Sequence, residues 1–588
     1  MCGVFGYVGN RTDVGDAVVA ALRSLEYRGY DSWGVALATH DGLVVDKETG
    51  RINGNHRRYP KSMLGLGHTR WATHGGVTAA NAHPHLDCSR RIAVVHNGII
   101  ENHSELREYL MARGHRFSSE TDSEVVAHLV EVELTAGQNL AAAVAGTFAL
   151  LEGYNAIVVM DSEEKRFAAT KNVSPLIIGL GGTGTSVASD AIALDGHADR
   201  LIYLEDNQLA LLAADQAEVL DRRTLQPARP FTVAAPRSRT DVGLNGHENY
   251  LSKEVSEQPD TLRRLVKQGR SEVEALAAAI RSARKVIFTG CGTAGNAALA
   301  GAYLFGKICG RDVMFVPASE FNYRAGPLDS LSLVVALSQS GETVDVLDAV
   351  GAAKRRGSLL AAIVNSPNST LDRAVDVRVH LRAGIEQCVL ATKSYTAMLA
   401  ALLLTASQLD NNWPAGADAV ERAADAIEEM LHDATRSQIR EIGDRLTSHA
   451  HLFVIGRGEH YPSALESALK IKEVSYIHAE GFAAGELKHG VIALIEPGTP
   501  CLVLAPNDAT RTDVLLGASE LRSRGARIIG VGSSFDPVFD EFVAIPDAGV
   551  ANVIVEAVPG QLLGYFAALA RGHDPDRPRN LAKSVTVK

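Results

Sequence analysis

The chain has 588 residues and a formal net charge of −11 at pH 7, with 46% hydrophobic and 22% charged residues. This composition is typical of a globular protein, and the length predicts three or four domains. The negative charge argues against nucleic acid or an anionic membrane as the main partner. Because no apolar run approaches the ~20 residues of a membrane span and no signal-like segment opens the chain, we expect a cytoplasmic protein.

The first 215 residues mix short apolar segments with two amphipathic helical patterns. The apolar segments IAVVHNG, AIVVMD, PLIIGLG and RLIYLED predict strands. One helix is predicted over DVGDAVVAALRSLEYR, and a second follows the capping-box pattern at Thr121–Glu124. Residues 2–215 are therefore predicted to form a mixed α/β domain. The next segment, 216–274, begins as a Pro- and Arg-rich linker and becomes helical from about His247.

A repeat is visible in the second half of the chain. Apolar strands that end in Gly- or Ser-rich turns lead into helices at Val286 and Leu333, and the same pattern returns at Leu452 and Cys501. Such apolar runs are typical of buried parallel sheets, which bind ligands at the carboxyl ends of their strands. We therefore predict two doubly wound domains, at 275–413 and 445–570, and a short tail at 571–588.

Cysteine usage points to one reactive position. The six cysteines form no CxxC pair and show no metal-ligand spacing, so we expect neither a disulfide framework nor a metal, and most of them should be buried. Cys2 is the exception, because removal of Met1 would leave a thiol and a free α-amine on one residue. A thiol and an amine of ordinary pKa, about 8.5 and 8, can serve as nucleophile and base.

Four further residues complete what a glutaminase needs. An oxyanion hole is predicted from Asn97 and the Gly98 amide, a cation for the glutamine carboxylate from Arg70, and an anion for its amine from Asp122. Taken singly, an Asp at a helix start is usually a cap and Asn-Gly is usually a turn. Together with Cys2 they predict glutamine hydrolysis.

The segments LEYRGYDS, HTRWATHG, NAHPH, HNGIIEN and SETDSE resemble the class II glutamine amidotransferases. From MCGVFGYVG to RNLAKSVTV, the whole chain resembles the glutamine–fructose-6-phosphate aminotransferase (isomerising) family. The resemblance implies an N-terminal-nucleophile αββα glutaminase domain, followed by two doubly wound sugar-isomerase (SIS) domains that receive ammonia internally. It also implies that Trp71, Thr73 and His74 lie at the glutamine site, with Trp71 gating the ammonia channel.

A phosphate site is predicted at Ser338–Thr343, between a strand and a helix. Hydroxyl groups and free helix N–H groups suit a phosphate, although an ordinary Ser-capped turn would look the same. Thr293 heads the neighbouring unit and should face the same cleft. With the positions that the resemblance adds, the predicted sugar-phosphate contacts are Thr293, Ser338, Gln339, Ser340, Thr343, Val389 and Ala391.

Sugar chemistry is assigned to four residues by the resemblance. Lys470 and Glu473 share one face of a predicted helix, which alone would indicate a solvated ion pair. The family pattern implies that the 571–588 tail completes the sugar site and that its Lys583 forms a Schiff base with the ketose. It also implies that Glu473 moves a proton between C1 and C2 and that Lys470 handles charge. It implies that His489 assists ring opening from a neighbouring subunit, hence a homodimer. This chemistry requires no metal or organic cofactor, and the partners are L-glutamine and a ketose phosphate.

The departures from the family pattern cluster at the sugar. Ala294 and Ala391 stand where the family has serines, and Cys388, Leu390, Ser394 and Asn322 also differ. Two lost hydroxyls could each cost about 1 kcal/mol. One interpretation is a fructose-6-phosphate enzyme with tolerated changes, and another is a paralogue that aminates a different keto sugar. Two further alternatives are a glutaminase with an inactive acceptor domain and a sugar-phosphate sensor, although no basic DNA-binding helix pair is visible.

Overall fold

The computed structural model describes residues 2–52, 57–235 and 243–586. Two compact units are formed, one by Met1–Arg239 with Ala582–Lys588 and the other by Thr240–Leu581.

The first unit is built from fourteen strands and four α-helices within its described residues. The strands are β1 (Gly3–Gly9), β2 (Ser32–Thr39), β3 (Gly42–Thr49), β4 (Leu64–Arg70), β5 (His85–Leu86), β6 (Ile92–Gly98), β7 (Asn155–Asp161), β8 (Arg166–Lys171), β9 (Ile177–Gly181), β10 (Gly184–Ala188), β11 (Arg200–Tyr203), β12 (Gln208–Leu212), β13 (Ala217–Asp221) and β14 (Phe231–Ala234). The helices are α1 (Val14–Ser24), α2 (His103–Met111), α3 (Glu124–Thr135) and α4 (Leu140–Leu150).

These strands form two antiparallel sheets, in the orders β14-β11-β9-β10-β1-β4-β2-β3 and β13-β12-β8-β7-β6-β5. Along β6, Ala93 and Val95 pack with residues of the other sheet, whereas Ile92 and Val94 pack with α3 and α4. Successive strand residues point to opposite faces, so a strand that is covered on both faces is apolar throughout. Helix α1 covers the outer face of the eight-stranded sheet. The four layers give the αββα architecture that the resemblance implied.

The predicted second helix exists, but its predicted cap does not form. Helix α3 begins at Glu124, its N-cap is Ser123, and no side chain caps it. The Glu124 carboxylate instead accepts hydrogen bonds from Ser118 and Ser119, because the preceding loop folds back over it.

The segment expected to be a linker starts later than predicted. Strands β13 and β14 lie within 216–274 and pair with β12 and β11, so the sheets of the first unit continue past residue 215. A four-residue edge strand such as β14 gives too little periodicity to stand out from Pro- and Arg-rich surroundings. Residues 236–242 lie outside the described residues.

The second unit consists of parallel sheets wrapped by helices. Its helices are α5 (Tyr250–Ser256), α6 (Gln258–Gln268), α7 (Arg270–Ser282), α8 (Gly292–Cys309), α9 (Phe321–Arg324), α10 (Val344–Arg355), α11 (Thr370–Ala374), α12 (Lys393–Leu409), α13 (Trp413–Met430), α14 (Asp433–Leu446), α15 (Tyr461–Ser475), α16 (Arg511–Arg522), α17 (Asn552–Val555) and α18 (Ala557–Ala570). Its strands are β15 (Lys285–Gly290), β16 (Met314–Pro317), β17 (Ser332–Ser338), β18 (Leu359–Val364), β19 (Val377–His380), β20 (His451–Gly456), β21 (His478–Ala483), β22 (Pro500–Leu504), β23 (Arg527–Gly532) and β24 (Glu541–Ala544).

The predicted repeat is confirmed by the sheet topology. The orders β16-β15-β17-β18-β19 and β21-β20-β22-β23-β24 are equivalent, and every pairing within them is parallel. The two halves share one apolar core, to which α8, α12, α15 and α18 contribute. Contrary to the sequence-based expectation, one described segment, Gly549–Ala570, is long and apolar enough to cross a membrane. Its most apolar stretch is 89% buried inside the protein, as in a core helix.

Candidate active sites

A cleft of about 440 Å³, open solvent included, lies in the first unit beside Cys2. The predicted residues Cys2, Arg70, Trp71, Thr73, Asn97, Gly98 and Asp122 all line it. His74 is not among the lining residues, but its backbone carbonyl oxygen accepts a hydrogen bond from the Arg70 side chain. Residues that sequence reasoning did not assign also line the cleft, namely His83, His96, Thr121, Ser123 and Thr586.

Cys2 stands directly before β1, where hydrogen bonds hold both its thiol and its backbone carbonyl. The Trp71 N–H donates to Sγ at 3.2 Å, and the Asn97 side-chain amide donates to the Cys2 carbonyl oxygen at 3.0 Å. Burial raises the pKa of the Cys2 thiol, and the Trp71 N–H and the Arg70 charge offset only part of this effect. A thiol in this state needs a nearby base before it can attack.

Asn97 and Gly98 end β6, and their conformation is tightly specified. His68 Nε2 lies 3.0 Å from the His96 carbonyl oxygen and 3.2 Å from Asn97 Oδ1, so this nitrogen carries the proton and the Asn97 NH₂ group turns towards Cys2. Gly98 has φ +143°, and a Cβ there would collide with the carbonyl oxygen of Tyr154. Only glycine can therefore present its N–H from this position.

Arg70 and Asp122 place opposite charges at the same cleft. Arg70 ends β4, is buried, and donates to the carbonyl oxygens of Gly75 and Gly76 at 3.3 and 3.2 Å. Asp122 Oδ2 accepts from the Ile100 N–H at 2.9 Å. Asp122 therefore holds the loop at Ile100 rather than capping α3, and its carboxylate can still accept further hydrogen bonds. The two charges match the carboxylate and amine ends of an amino acid.

Four buried histidines surround this cleft and stay neutral. Burial lowers the pKa of His68 to about 3 and lowers the pKa values of His83, His85 and His96. His96 is fixed by Ser123 and Asn155, at 2.8 and 2.9 Å. The histidines shape the cleft without adding positive charge to it.

The tail also reaches this cleft. Residues 582–588 belong to the first unit, and Thr586, which is 1% exposed, lines the cavity with Cys2. Ser584 and Thr586 are buried while Val585 is exposed, and the absence of charge over 584–586 was the sequence signal for this partial burial. Lys583 consequently lies in the first unit, whereas Lys470, Glu473 and His489 lie in the second.

The second unit holds a buried polar cluster between α8 and α15. Lys470 Nζ lies 2.7 Å from Glu473 Oε2 and donates to Thr293 Oγ1 at 3.0 Å. Glu466, one turn earlier on α15, lies 3.4 Å from Lys470 Nζ and accepts from Thr293 and Asn296 at 3.0 and 2.8 Å. The structure thus brings Lys470, Glu473 and Thr293 together, and adds Glu466, which sequence reasoning missed.

Burial and charge oppose each other within this cluster. Burial raises the pKa of Glu466, although Lys470 and Asn296 counteract it. Burial alone would lower the pKa of Lys470, but the charges of Glu473 and Glu466 outweigh it and raise that pKa. Lys470 is therefore a permanent cation with a carboxylate on either side. The i,i+4 spacing of Glu466 and Lys470 was visible in the sequence, but their burial was not.

The predicted phosphate loop is a tight turn that leads directly into α10. Ser338 Oγ accepts from the Gly341 N–H at 2.9 Å, and Ser340 Oγ accepts from the Glu342 N–H at 3.1 Å. Thr343 is the N-cap of α10, and its side chain makes no capping bond. The Gln339 carbonyl oxygen accepts from Ser366 at 3.2 Å. The loop therefore presents the free N–H groups of α10 beside hydroxyl groups, as phosphate binding requires.

The remaining predicted sugar-site residues lie in different surroundings. Val389 is buried, its N–H donates to the Asp576 carbonyl oxygen at 3.0 Å, and Ala391 is half-buried nearby in sequence. Ala294, in the first turn of α8, packs partly against the apolar core. His489 is exposed at the end of the 3₁₀ turn Ala484–His489.

Comparison with known proteins identifies the domains of both units. A family model described as the SIS domain matches residues 279–408 and 445–542, and one described as a glutamine amidotransferase domain matches 68–196. Proteins named glutamine–fructose-6-phosphate aminotransferase (isomerizing) from Methanothermobacter thermautotrophicus and Thermus thermophilus are each 39% identical to this chain, over the full length of both partners. The chain belongs to this aminotransferase family. The resemblance inferred from the motifs is thereby confirmed.

A solved structure is similar to the second half. The C-terminal domain of glucosamine-fructose-6-phosphate aminotransferase from Francisella tularensis is 30% identical, with a TM-score of 0.54. It aligns over 57% of this chain and 100% of its own length. The predicted pair of SIS domains is confirmed by this likeness and by the two SIS matches.

Proposed function

We propose that this protein hydrolyses glutamine at Cys2 and delivers the ammonia to fructose 6-phosphate, which it aminates and isomerises to glucosamine 6-phosphate. The observation that carries the proposal is the cleft around Cys2, where Arg70 and Asp122 match the two charged ends of glutamine. The glutamine amidotransferase match and the names of the full-length relatives support the same function.

Glutamine hydrolysis begins with a proton transfer within one residue. After Met1 is removed, the Cys2 amine takes the thiol proton, and the sulfur attacks the side-chain amide carbon. The oxyanion is held by the Asn97 NH₂ group and the Gly98 N–H. When the C–N bond breaks, the proton goes to the departing nitrogen, which leaves as ammonia. Water then cleaves the thioester to give glutamate and restore the thiol.

The sugar step uses the buried cluster of the second unit. The Lys583 amine and the ketose carbonyl form an imine with loss of water, and ammonia then displaces the lysine amine to give the ketose imine. The Glu473 carboxylate moves one proton from C1 to C2 to give the 2-amino aldose. Lys470 lies 2.7 Å from Glu473 and holds its side chain in position. The phosphate is held by the Ser338–Thr343 loop and the start of α10. The role of Lys583, imine formation that opens the ketose, is tested by Lys583→Arg, which keeps the charge but should abolish amination.

The decisive experiment separates the two half-reactions. The Cys2→Ala variant should lose glutamine-dependent amination but keep amination with added ammonium salts. A Cys309→Ala variant serves as a control, because Cys309 lies in α8 of the second unit. Full glutamine-dependent activity in Cys2→Ala, or in protein that retains Met1, would refute the proposed nucleophile.

A different keto sugar is the second candidate acceptor, favoured by the missing hydroxyls at Ala294 and Ala391. A panel of keto sugars, with and without phosphate, should be incubated with glutamine and the products identified by mass spectrometry. Glucosamine 6-phosphate as the main product supports the first proposal. A different product, shifted back towards glucosamine 6-phosphate by Ala294→Ser with Ala391→Ser, would support the paralogue.

We further propose a cytoplasmic homodimer in which each subunit supplies His489 to the other. Glu473→Gln and His489→Asn should each be inactive alone. When the two are co-expressed, a mixed dimer would regain one intact site, giving about a quarter of wild-type activity after random pairing. No recovery in verified mixed dimers would show that His489 acts within its own subunit or not at all.

A further inference from the structure

A second group of ligating side chains lies in the first unit, and none of its members lines the described cleft around Cys2. Cys88 follows β5, His115 lies in the loop after α2, and His128 and Glu131 stand three residues apart on α3. One ligand atom from each of the four residues lies within 4.8 Å of all the others. Cys88 is exposed, contrary to the expectation for a buried structural cysteine.

The separations between these atoms match a tetrahedral zinc site. Bonds of about 2.3 Å to sulfur and 2.0–2.2 Å to nitrogen and oxygen place tetrahedral S···N pairs about 3.6 Å apart and N···O pairs about 3.4 Å apart. Cys88 Sγ lies 3.7 Å from His115 Nδ1 and 3.6 Å from His128 Nδ1. Glu131 Oε2 lies 2.9 Å from His115 Nδ1 and 3.4 Å from His128 Nδ1.

Hydrogen bonding accounts poorly for this arrangement. Both Nδ1 atoms face the same sulfur and the same carboxylate oxygen. If each Nδ1 donates its proton to Glu131, neither can accept the thiol proton of Cys88, so the thiol must turn to the same carboxylate and three donors compete for it. Two nitrogens, a sulfur and an oxygen that converge on one point are better satisfied by a shared cation.

The surroundings supply the outer contacts expected of a metal site. The Arg116 N–H lies 3.5 Å from Cys88 Sγ, and the Cys88 N–H donates to Glu131 Oε2 at 3.2 Å. On the far side of the His128 ring, Glu124 Oε1 lies 3.8 Å from Nε2. A carboxylate behind a ligating histidine fixes its tautomer and strengthens it as a ligand.

We propose that Cys88, His115, His128 and Glu131 bind one Zn²⁺ ion. Mixed thiolate, imidazole and carboxylate donors in tetrahedral positions suit zinc, and four protein ligands leave no open coordination position, so the site is structural. The ion would tie the turn after β5 to the loop after α2 and to α3. Because Asp122 lies between His115 and His128 in the chain, both ends of the segment that carries it into the cleft would be fixed.

The other described cluster of this kind is accounted for by hydrogen bonds alone. Glu459, His460 and Asp508 also lie close together, but His460 donates from Nδ1 to Glu556 at 2.8 Å and from Nε2 to Asp508 at 3.0 Å. Both ring nitrogens carry protons, so His460 has no lone pair to offer. In the proposed site, each histidine needs only its Nδ1 lone pair for the ion.

Metal analysis of the full-length protein tests the proposal. After dialysis against metal-free buffer, wild type and the control Cys309→Ser should retain about one zinc per chain, whereas Cys88→Ser and His115→Gln should retain almost none. Circular dichroism shows whether each variant is folded. Zinc content equal to wild type in both ligand variants would overturn the proposal, because the ion would then be bound elsewhere.

Cobalt substitution gives a readout that does not need a folded variant. Wild-type protein stripped of zinc and titrated with Co²⁺ should show the intense visible absorption of tetrahedral cobalt and a sulfur-to-cobalt charge-transfer band. Absence of both signals, together with absence of zinc in the purified protein, would refute the site. Neither measurement depends on glutaminase activity, so failure here leaves the proposed function standing.

Discussion

Replacing Lys470 by methionine should destabilise the second unit more than any exposed charge change on the same helix. Lys470 and Glu466 side chains are each 1% exposed, and Glu473 is 20% exposed. Methionine keeps most of the side-chain length but removes the cation between the two carboxylates. Glu466 is then left buried beside a second negative charge, which is among the most unfavourable arrangements in a protein interior.

The expected loss of stability follows from the distances between Lys470 and its two carboxylate neighbours. At an effective dielectric constant of about 20, contacts of 2.7 and 3.4 Å correspond to gross attractions of about 6 and 5 kcal/mol. Desolvation offsets most of this attraction, and breaking such a buried pair typically costs about 3–5 kcal/mol. For a unit of about 340 residues, with an unfolding entropy near 0.7 kcal/mol/K, the loss converts to a fall in Tm of about 4–7 °C.

The pH dependence of this loss has a definite sign. Burial already raises the pKa of Glu466, and removing Lys470 raises it further. A carboxyl group whose folded-state pKa is raised stabilises the protein at low pH and loses that contribution as pH rises through the folded value. The Lys470→Met penalty should therefore be larger at pH 8 than at pH 5.

Differential scanning calorimetry of the ligand-free protein measures both effects. Lys472→Met is the matched control, because Lys472 is exposed on the same helix. Adding Glu466→Gln to Lys470→Met should recover about 1–3 kcal/mol, because the unpaired buried charge is removed. A Tm for Lys470→Met within about 1 °C of wild type at pH 8, or no recovery in the double variant, would refute the reasoning.

Three further predictions concern single residues. Asn97→Ala should lower kcat for glutamine hydrolysis by about 10²–10³ through loss of an oxyanion donor, and a loss below tenfold in steady-state assays would contradict that role. Gly98→Ala should destabilise the first unit by about 3 kcal/mol or more, because the added Cβ meets the Tyr154 carbonyl oxygen at φ +143°; unchanged calorimetric unfolding would contradict this. His460 has a pKa raised to about 10, because Glu556 and Asp508 outweigh the effect of burial, so its stabilisation is complete below its unfolded pKa of about 6.5 and disappears as pH rises through 10. Denaturant titrations should therefore show a steeper loss of stability between pH 7 and 10 in wild type than in His460→Gln.

Much of the fold could be predicted because buried strands require runs of apolar residues, which are visible in the sequence. The buried parallel strands β15, β17, β20 and β22 appear as apolar runs that end in, or are followed by, a small residue, so the repeated domain was visible. Strand β6 was equally clear, since both of its faces are covered. The edge strand β14 is short and mostly exposed, and such a strand has no comparable pattern.

The candidate sites were predictable where a residue's position relative to a strand end decides its role. Arg70, Asn97 and Gly98 end β4 and β6, and the structure places all three at the cleft of Cys2. Glu466 could not be assigned, because an i,i+4 pair with Lys470 has the same spacing whether it is exposed or buried. The four proposed zinc ligands could not be predicted from the sequence, because they come from three separate parts of the chain. Only the tertiary structure brings those parts together.

The environment of the Cys2 sulfur bears on the proposed role of this residue as nucleophile. Burial raises the pKa of the Cys2 thiol, and the surrounding histidines are neutral, so they provide neither a cation to stabilise a thiolate nor a charged partner for it. The Trp71 N–H, 3.2 Å away, stabilises the sulfur anion once it forms but cannot remove a proton. In the proposed mechanism the base is therefore the amine of Cys2 itself, because an N-terminal residue carries an amine of suitable pKa within its own backbone. The proposed activation of the thiol therefore requires the removal of Met1, which frees this amine.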